Sequence, residues 1–266
     1  MEKSIVDIKI GREAYGADPA GYHAARPGYP DWVFEMLVDR GCLANGTAAF
    51  EIGAGTGIAT RRLLEYGASP LLIIEPDKRL GDFLKKTLPG NEVSILPVPF
   101  EEAELPDNSF DFGFSATAFH WLNEDIAMEK IARLLRPGGW WAMVWNVFGN
   151  PARHDPFNEA TRELLEGPAS PADGIGDIPF ALDVESRMAA LNRTNAFEAI
   201  EYRVSEWPLV LSAAETVSLY ATFSNINIRP DRDALLAALG RIAKLQFGDK
   251  VTRNMATCVY IARRKH

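Results

Sequence analysis

The sequence predicts an α/β fold in which helices cover both faces of a parallel sheet. Between Asp31 and Val147, segments with a helical spacing of apolar residues alternate with short segments that are apolar at nearly every position. Such strands are typical of a parallel sheet whose two faces are buried by crossover helices. Since 47% of the 266 residues are hydrophobic, the chain can form one continuous core.

The elements of this region follow from apolar spacing and from cap and turn residues. The first helix places Val33, Met36 and Leu37 on one stripe. Gly67 ends the second helix, and Asp77 is a typical N-cap residue for the third. The predicted helices are residues 31–42, 56–66, 77–88 and 124–135, and the predicted strands are 47–53, 71–75, 92–98, 110–116 and 140–145, the last after a turn at 137–139.

The pattern changes after Asn146. Residues 167–180 are rich in Gly, Pro and Asp, and are predicted to form a surface loop or a mobile cover. Two helical segments precede the last strand, so we interpret this half as additions to the same sheet and not as a second domain. The predicted helices here are 159–165, 213–223 and 232–245, and the predicted strands are 199–210 and 255–262.

Composition excludes several classes of protein. A net charge of −8 argues against binding to nucleic acid. No apolar run approaches the roughly 20 residues that span a bilayer, and the polar N-terminus lacks the apolar region of a signal peptide. Cys42 and Cys258 are too isolated to form a disulfide framework or a metal cage. We therefore expect a cytoplasmic protein without a metal.

The stretch EIGAGTG, residues 51–57, joins the first predicted strand to a helix. Glycines at every second position allow a ligand to approach the backbone closely. A dinucleotide fingerprint would require a small third residue, and Ile58 stands there instead. The alternative ligand is S-adenosylmethionine, which has no pyrophosphate.

Two further segments favour a nucleoside. Glu75 ends the second strand, where a carboxylate can accept hydrogen bonds from a ribose diol, although this holds equally for NAD. Phe100 and Glu101 follow the third strand, where a ring and a carboxylate can line an adenine. Glu75 could instead be an exposed acid at a strand end, and the acids after Phe100 a solvated helical turn.

Together these motifs resemble a class I S-adenosylmethionine-dependent methyltransferase. The resemblance covers residues 22–145 and rests on EIGAGTG, IIEPD, PFEEAELPDNSFD, SATAFHWL and LLRPGG. YHAARPGYP at 22–30, with AFHWL, is similar to a subgroup that includes trans-aconitate methyltransferase-like proteins. The resemblance implies a Rossmann-like three-layer sandwich with a mostly parallel seven-stranded sheet, and S-adenosylhomocysteine as product.

The resemblance also implies roles for individual residues around the cofactor. The glycine loop would lie under its methionine part, Glu75 would hold the ribose, Pro76, Phe100 and Glu101 would line the adenine, and strand four would run beside the sulfonium. The implied cofactor-binding residues are Glu51, Gly53, Gly55, Gly57, Glu75, Pro76, Phe100, Glu101, Ser115 and Ala116.

Three residues are candidates for catalysis. His120 follows the fourth strand, where ligands bind in open parallel sheets, and could accept a proton or orient a substrate carboxylate. It could also be a helix cap or a packing residue. Tyr22 and Arg26 lie in a proline-stiffened segment that could fold over the cofactor, or merely connect to the first helix. Arg26 could bind a substrate carboxylate or the cofactor's own.

The sequence therefore predicts one domain over residues 1–266. Residues 1–30 are the predicted lid, 31–147 the cofactor-binding core, and 148–266 the C-terminal strands with inserted cap helices. The predicted activity is methyl transfer to a small-molecule acceptor that could bear a carboxylate. Two alternatives remain open, an NAD(P)-dependent oxidoreductase and a non-catalytic S-adenosylmethionine-binding regulatory protein.

Overall fold

The computed structural model contains a seven-stranded, mostly parallel sheet between layers of helices. It describes residues 5–88, 90, 92–148, 153–174 and 178–266. The strand order is β3-β2-β1-β4-β5-β7-β6. Neighbouring strands from β3 to β5 are parallel, and β7 is antiparallel to both β5 and β6. The strands are β1 Thr47–Ile52, β2 Ala68–Ile74, β3 Val93–Leu96, β4 Phe110–Ala116, β5 Leu135–Phe148, β6 Phe197–Leu211 and β7 Val251–Arg264.

Eleven helices within the described ranges cover this sheet and its carboxyl edge. Apolar side chains from the helices and strands form one buried cluster on each face of the sheet. The predicted α/β sandwich is therefore confirmed. The helices are α1 Ile8–Ala14, α2 Pro19–Ala25, α3 Asp31–Asp39, α4 Ile58–Glu65, α5 Lys78–Thr87, α6 Glu124–Leu134, α7 Pro156–Thr161, α8 Val184–Arg193, α9 Ala213–Tyr220, α10 Ser224–Asn227 and α11 Arg232–Gln246.

Strand β5 begins earlier than the sequence predicts. The expected turn at 137–139 lies inside the strand, where the register jumps from Phe110 opposite Leu135 to Phe112 opposite Trp140. Proline and glycine thus form an irregularity within the strand, and Gly138 has a φ of +80°. A bulge and a turn share the same residue types, which explains the wrong prediction.

The functional region lies at the carboxyl edge, where the strand order reverses. The chain leaves β1 towards β2 on one side, and β4 lies on the other side of β1. Ligands bind at such switch points because the connections diverge there and leave a crevice.

Two added parts cover this crevice. Helices α1 and α2 precede the core, and three helices, α9, α10 and α11, lie between β6 and β7, where the sequence predicted two. These three helices pack around a separate buried cluster that includes Phe157, Tyr220 and Leu239.

None of the helices in the described ranges is long and apolar enough to cross a membrane. In the predicted loop at 167–180, Pro171–Asp173 form a short 3-10 turn, and residues 175–177 lie outside the described ranges.

Candidate active site

The glycine loop lies at the carboxyl end of β1 and opens onto the crevice. Gly53 and Gly55 have φ angles of +69° and +59°, which L side chains rarely adopt. A Cβ atom on Gly53 would lie 2.5 Å from the Cβ of Ala118, whereas one on Gly55 would meet no atom within 4 Å. Gly53 therefore permits close packing against the loop after β4, and Gly55 leaves its open side to the crevice.

Two acids, Glu51 and Glu75, are buried beside this loop. Glu75 Oε2 accepts a hydrogen bond from the Gly55 N–H (2.8 Å) and Oε1 accepts one from the Asp77 N–H (3.0 Å). Glu51 Oε2 accepts a hydrogen bond from Thr60 Oγ1 (2.6 Å), and its Oε1 is buried without a hydrogen-bond partner in the described part of the chain.

Burial changes the acidity of both groups. It raises the pKa of each carboxyl to about 7, and the hydrogen bonds from Thr60 to Glu51 and from Gly55 and Asp77 to Glu75 offset the rise only in part. Neither carboxylate forms an ion pair with a described residue. Near neutral pH the free protein therefore holds these two carboxyls partly protonated.

A cavity of about 1450 Å³ extends from the glycine loop to the cap helices. Pockets for one small ligand are commonly about 300–1,000 Å³, so this cavity has room for a nucleoside and a second molecule. Of the residues predicted from sequence, ten line it: Tyr22, Arg26, Glu51, Gly53, Gly55, Glu75, Pro76, Phe100, Ala116 and His120.

Three predicted residues are absent from the cavity wall formed by the described residues. Gly57 is the N-cap of α4. Ser115 is fully buried, and its Oγ donates to the Ile52 carbonyl (3.1 Å), which ties β4 to β1. Glu101 forms an ion pair with Arg12 of α1 (2.8 Å). These contacts give each residue a structural role, and their predicted roles at the cofactor stay predictions.

Arg26 lies among aromatic rings at the cavity wall. Its guanidinium carbon is 5.1 Å from the ring centroid of Tyr22, 5.4 Å from that of Phe148 and 4.7 Å from that of Phe223. One Nη donates to the Thr222 carbonyl (3.2 Å), while Nε is buried without a hydrogen-bond partner among the described residues. Arg26 forms no ion pair with any side chain in those ranges, so its charge faces the cavity without a counter-ion.

The N-terminal segment is held over the crevice by hydrogen bonds to the core. His23 Nδ1 lies 3.1 Å from Thr56 Oγ1, and the hydroxyls of Tyr29 and Thr117 lie 2.8 Å apart. Asn146 Nδ2 donates to the carbonyl oxygen of Gly28 (3.1 Å). These contacts join the C-terminal part of α2 and the segment that follows it to the loops after β1 and β4 and to the end of β5.

His120 lies at the cavity wall in the short 3-10 turn Phe119–Trp121, which Thr117 and Ala118 connect to the end of β4. Its side chain is buried, and its Nδ1 accepts a hydrogen bond from the indole N–H of Trp145 (3.1 Å). Burial, and secondarily the charge of Arg26, lower the pKa of His120 to about 3. A ring with this pKa is neutral at physiological pH.

Several residues of the wall were not predicted from the sequence. Tyr15 contacts Tyr22 and Trp121 edge to face at 5.7 and 6.1 Å between ring centroids. No local pattern singles out Tyr15 or Phe148, because both reach the site through tertiary packing. In the region after β5, Tyr220, Phe223 and Asn225 line the cavity, whereas Trp207 donates to Thr257 and Arg229 pairs with Asp231.

Comparison with known proteins identifies the class to which this fold and crevice belong. A family profile described as a methyltransferase domain matches residues 50–143. An uncharacterized methyltransferase of Geobacillus kaustophilus is 32% identical over 62% of this chain and 70% of its own length. One of Schizosaccharomyces pombe is 28% identical over 94% of this chain and 96% of its own.

Solved structures show the same fold. A putative type II methyltransferase from Anaeromyxobacter dehalogenans superposes with a TM-score of 0.60 at 21% identity, over 90% of this chain and 97% of its own. A phosphoethanolamine N-methyltransferase of Haemonchus contortus, solved with S-adenosylhomocysteine, has a TM-score of 0.58 at 17% identity over 98% of this chain and 61% of its own.

The chain belongs to the methyltransferase family. It is an S-adenosylmethionine-dependent enzyme of the class I, Rossmann-like type. This result excludes the nicotinamide-dependent and non-catalytic alternatives that the glycine loop alone left open. Within the described ranges, no group of three or more His, Cys, Asp or Glu side chains is arranged to hold a metal ion.

Proposed function

We propose that this methyltransferase acts on a small molecule that bears a carboxylate, and that it methylates the carboxylate oxygen. The observation that carries the proposal is Arg26, a cation in the cavity wall without a counter-ion in the described part of the chain. Three rings surround its guanidinium and reduce its contact with water. A carboxylate is the ligand that satisfies such a group best, because guanidinium and carboxylate pair through two parallel hydrogen bonds.

The residues around the glycine loop fit S-adenosylmethionine. Glu75 is at the end of β2, where its carboxylate can accept hydrogen bonds from a ribose diol, and Pro76 can flank the adenine. The missing side chain of Gly55 leaves room for a ligand against the backbone. Glu51 Oε1 is a buried acceptor without a donor in the described ranges, which suits the α-ammonium group of the methionine part.

The proposed reaction needs alignment and exclusion of water more than acid–base chemistry. S-adenosylmethionine, when bound, would supply an activated methyl group; its transfer to a carboxylate oxygen would leave the C–S electron pair on sulfur and would require no proton transfer. Arg26 would hold the acceptor, and Tyr22 would close the cavity beside it. The buried, neutral His120 is consistent with a reaction that requires no base.

Arg26 could alternatively bind the carboxylate of the cofactor, and the two roles predict different results. If it binds the acceptor, Arg26→Gln should leave the Kd for S-adenosylhomocysteine within about threefold and raise the KM for the acceptor 100-fold or more, which is about 3 kcal/mol. If it binds the cofactor, the Kd itself should rise by that factor. Arg40→Gln is the control, because Arg40 pairs with Glu201 on the surface.

The acceptor class can be tested by supplying methyl-labelled cofactor with a panel of small mono-, di- and tricarboxylic acids, together with phenols and amines. The proposed similarity to the trans-aconitate methyltransferase-like subgroup favours the di- and tricarboxylates. We expect a labelled product that releases its label as methanol in mild alkali, as a methyl ester does. Label that is transferred only to phenols or amines, or that resists alkali, would refute the carboxylate proposal.

A further inference from the structure

The hydrogen bond between Trp145 and His120 defines where the imidazole carries its proton. An indole N–H can only donate, so His120 Nδ1 must be the unprotonated acceptor of the 3.1 Å contact. The proton of the neutral ring is then on Nε2. No hydrogen bond to Nε2 occurs within the described residues, and the ring lies in the cavity wall. The free donor is thus available to a molecule in the cavity.

The surroundings of His120 keep it in this neutral form. The rings of Trp121 and Phe180 lie 5.5 and 6.1 Å from the imidazole, and only 7% of the residue is exposed. The positive charge of Arg26 also lowers the pKa of His120, because it disfavours a second positive charge on the nearby imidazole. His120 forms no ion pair with a carboxylate of the described ranges that would favour the imidazolium.

Trp145 is itself held rigidly. It lies in β5, between β4 and β7, and is 2% exposed. Phe180 and Tyr260 pack against its ring at 5.8 and 6.1 Å. The direction of the indole N–H is therefore set by the sheet and its core, which makes it a fixed constraint on the imidazole and not a contact between mobile loops.

We propose that Trp145 is a positioning residue that fixes His120 in the Nε2–H tautomer, so that His120 donates a hydrogen bond to the acceptor and is not a general base. This inference rests on the proposed function, because a carboxylate oxygen that accepts a hydrogen bond keeps a lone pair for attack and needs no base. One carboxylate oxygen accepts from His120 Nε2–H, and Arg26 neutralises the charge. A hydroxyl or amine acceptor would have to lose a proton. Neither nitrogen of this imidazole can take that proton, because Nδ1 already accepts from Trp145 and Nε2 carries the proton of the neutral ring.

Nitrogen-15 NMR of histidine-labelled protein, saturated with S-adenosylhomocysteine, tests the tautomer directly. The chain has only four histidines, and His120→Gln identifies the signal. From pH 5 to 8 we expect a neutral Nε2–H imidazole in the native protein. In Trp145→Phe we expect a mixture of the Nδ1–H and Nε2–H tautomers, while burial and the charge of Arg26 still keep the ring neutral.

Trp141→Phe is the matched control. Trp141 lies in the same strand, is fully buried, and its indole nitrogen has no partner in the described part of the chain. The two variants lose similar packing, but only Trp145→Phe removes the hydrogen bond to His120. An Nδ1–H tautomer or an imidazolium in the native protein at pH 6 would overturn the proposal, as would identical spectra for both variants. If Trp145→Phe does not fold, the native spectrum alone decides.

Activity gives an independent result once a carboxylic acid is found that the enzyme methylates. The amide introduced by His120→Gln can donate a hydrogen bond but cannot act as a base. We expect His120→Gln to keep kcat/KM within about tenfold and His120→Ala to lose about 100-fold, which is about 3 kcal/mol. Equal losses in both variants would indicate a base. The NMR result does not depend on the acceptor, so a failed carboxylate screen would refute the proposed function without altering the assigned tautomer.

Discussion

At the scale of single residues, the site is defined by charged and polar groups that are buried without their usual partners. Within the described residues, Glu51 and Glu75 form no ion pair with a cation, and Arg26 forms none with an anion. Burial keeps the imidazole of His120 neutral. Burying such groups without a partner costs free energy, because a charge is poorly solvated in the protein interior. Bound ligands would provide partners for these groups, so the affinity for a ligand should depend on their protonation state.

The affinity for S-adenosylhomocysteine should fall as the pH decreases from 8 to 6. The carboxyls of Glu51 and Glu75 have pKa values of about 7 in the free protein, and they must be ionised to accept hydrogen bonds from the ligand. Each proton released on binding changes Kd by up to tenfold per pH unit below the pKa. Calorimetric titration at several pH values measures this change. A Kd that does not depend on pH in this range would contradict the assigned role.

The burial of Glu51 should also make the free energy of unfolding depend on pH. Its pKa is raised to about 7 in the folded protein, whereas the unfolded chain loses the proton near pH 4.5. The folded state therefore binds more protons between these values, and its stability falls as the pH rises from 4.5 to 7. The loss is at most about 3 kcal/mol.

Denaturant unfolding of the native protein and of Glu51→Gln, at pH 5 and pH 8, measures this contribution. The amide does not titrate, so the difference in unfolding free energy between the two pH values should be smaller in the variant. Equal pH dependence of the two proteins would show that Glu51 ionises normally in the fold.

At the scale of elements, the packing of the predicted lid depends on one close helix contact. A Cβ atom on Gly11 of α1 would lie 2.2 Å from the indole ring of Trp121, so the helix can pack on that ring only because residue 11 is glycine. Gly11→Ala should raise the intrinsic helix propensity by about 1 kcal/mol and yet displace α1. We expect faster hydrogen exchange in residues 8–25 and weaker binding of S-adenosylhomocysteine.

Gly81→Ala in α5 is the control for this prediction. The nearest atom to its added Cβ would be a methyl group of Ile95 at 3.8 Å, an ordinary contact. That variant should be as stable as the native protein or more so. Unchanged exchange in α1 of Gly11→Ala would show that the lid does not require this contact.

The elements that the sequence predicted well are those whose ends are marked locally. The strand at 110–116 has the predicted bounds, and Asp77 caps α5 through the N–H of Arg79. Helices α1 and α2 were missed because they are short, contain glycine and are stabilised by packing on the core. Helix α8 was also missed, although Asp183 gives it a recognisable N-cap.

The site was predictable to the extent that it follows the strand ends. The glycine loop and Glu75 reach the cavity because adjacent parallel strands end at the same edge. The packing of aromatic rings around Arg26 was not predictable, because Phe148 of β5 and Phe223 before α10 are far from Arg26 in sequence. The pairing of His120 with Trp145, 25 residues later, depends on the register of β4 and β5 in the same way.

At the scale of the whole molecule, a buried ion pair joins the cap to the sheet. Arg253 of β7 and Asp155, the N-cap of α7, are 3% and 4% exposed and 2.8 Å apart, and Arg253 also donates to the hydroxyl of Tyr220. Removing one partner leaves the other charge buried and unpaired, which costs about 3–5 kcal/mol. The division into lid, core and cap stays a prediction that this contact can test.

Asp155→Asn should therefore destabilise the protein by several kcal/mol, because the amide can still cap α7 but cannot neutralise Arg253. The double variant Asp155→Asn, Arg253→Met should recover part of this loss. Denaturant unfolding, with hydrogen exchange to locate the effect, measures both. Additive losses in the double variant would contradict the account of this contact.

The most direct test of the account is a titration with S-adenosylhomocysteine of the native protein, Gly55→Val and Gly41→Val. Both glycines have left-handed φ angles, +59° and +71°, and an added Cβ would meet no atom at either position, but only Gly55 lines the cavity. We predict that Gly55→Val abolishes binding while Gly41→Val preserves it. Equal affinities in the two variants would contradict the placement of the cofactor on the glycine loop, and with it the proposed arrangement of the acceptor site.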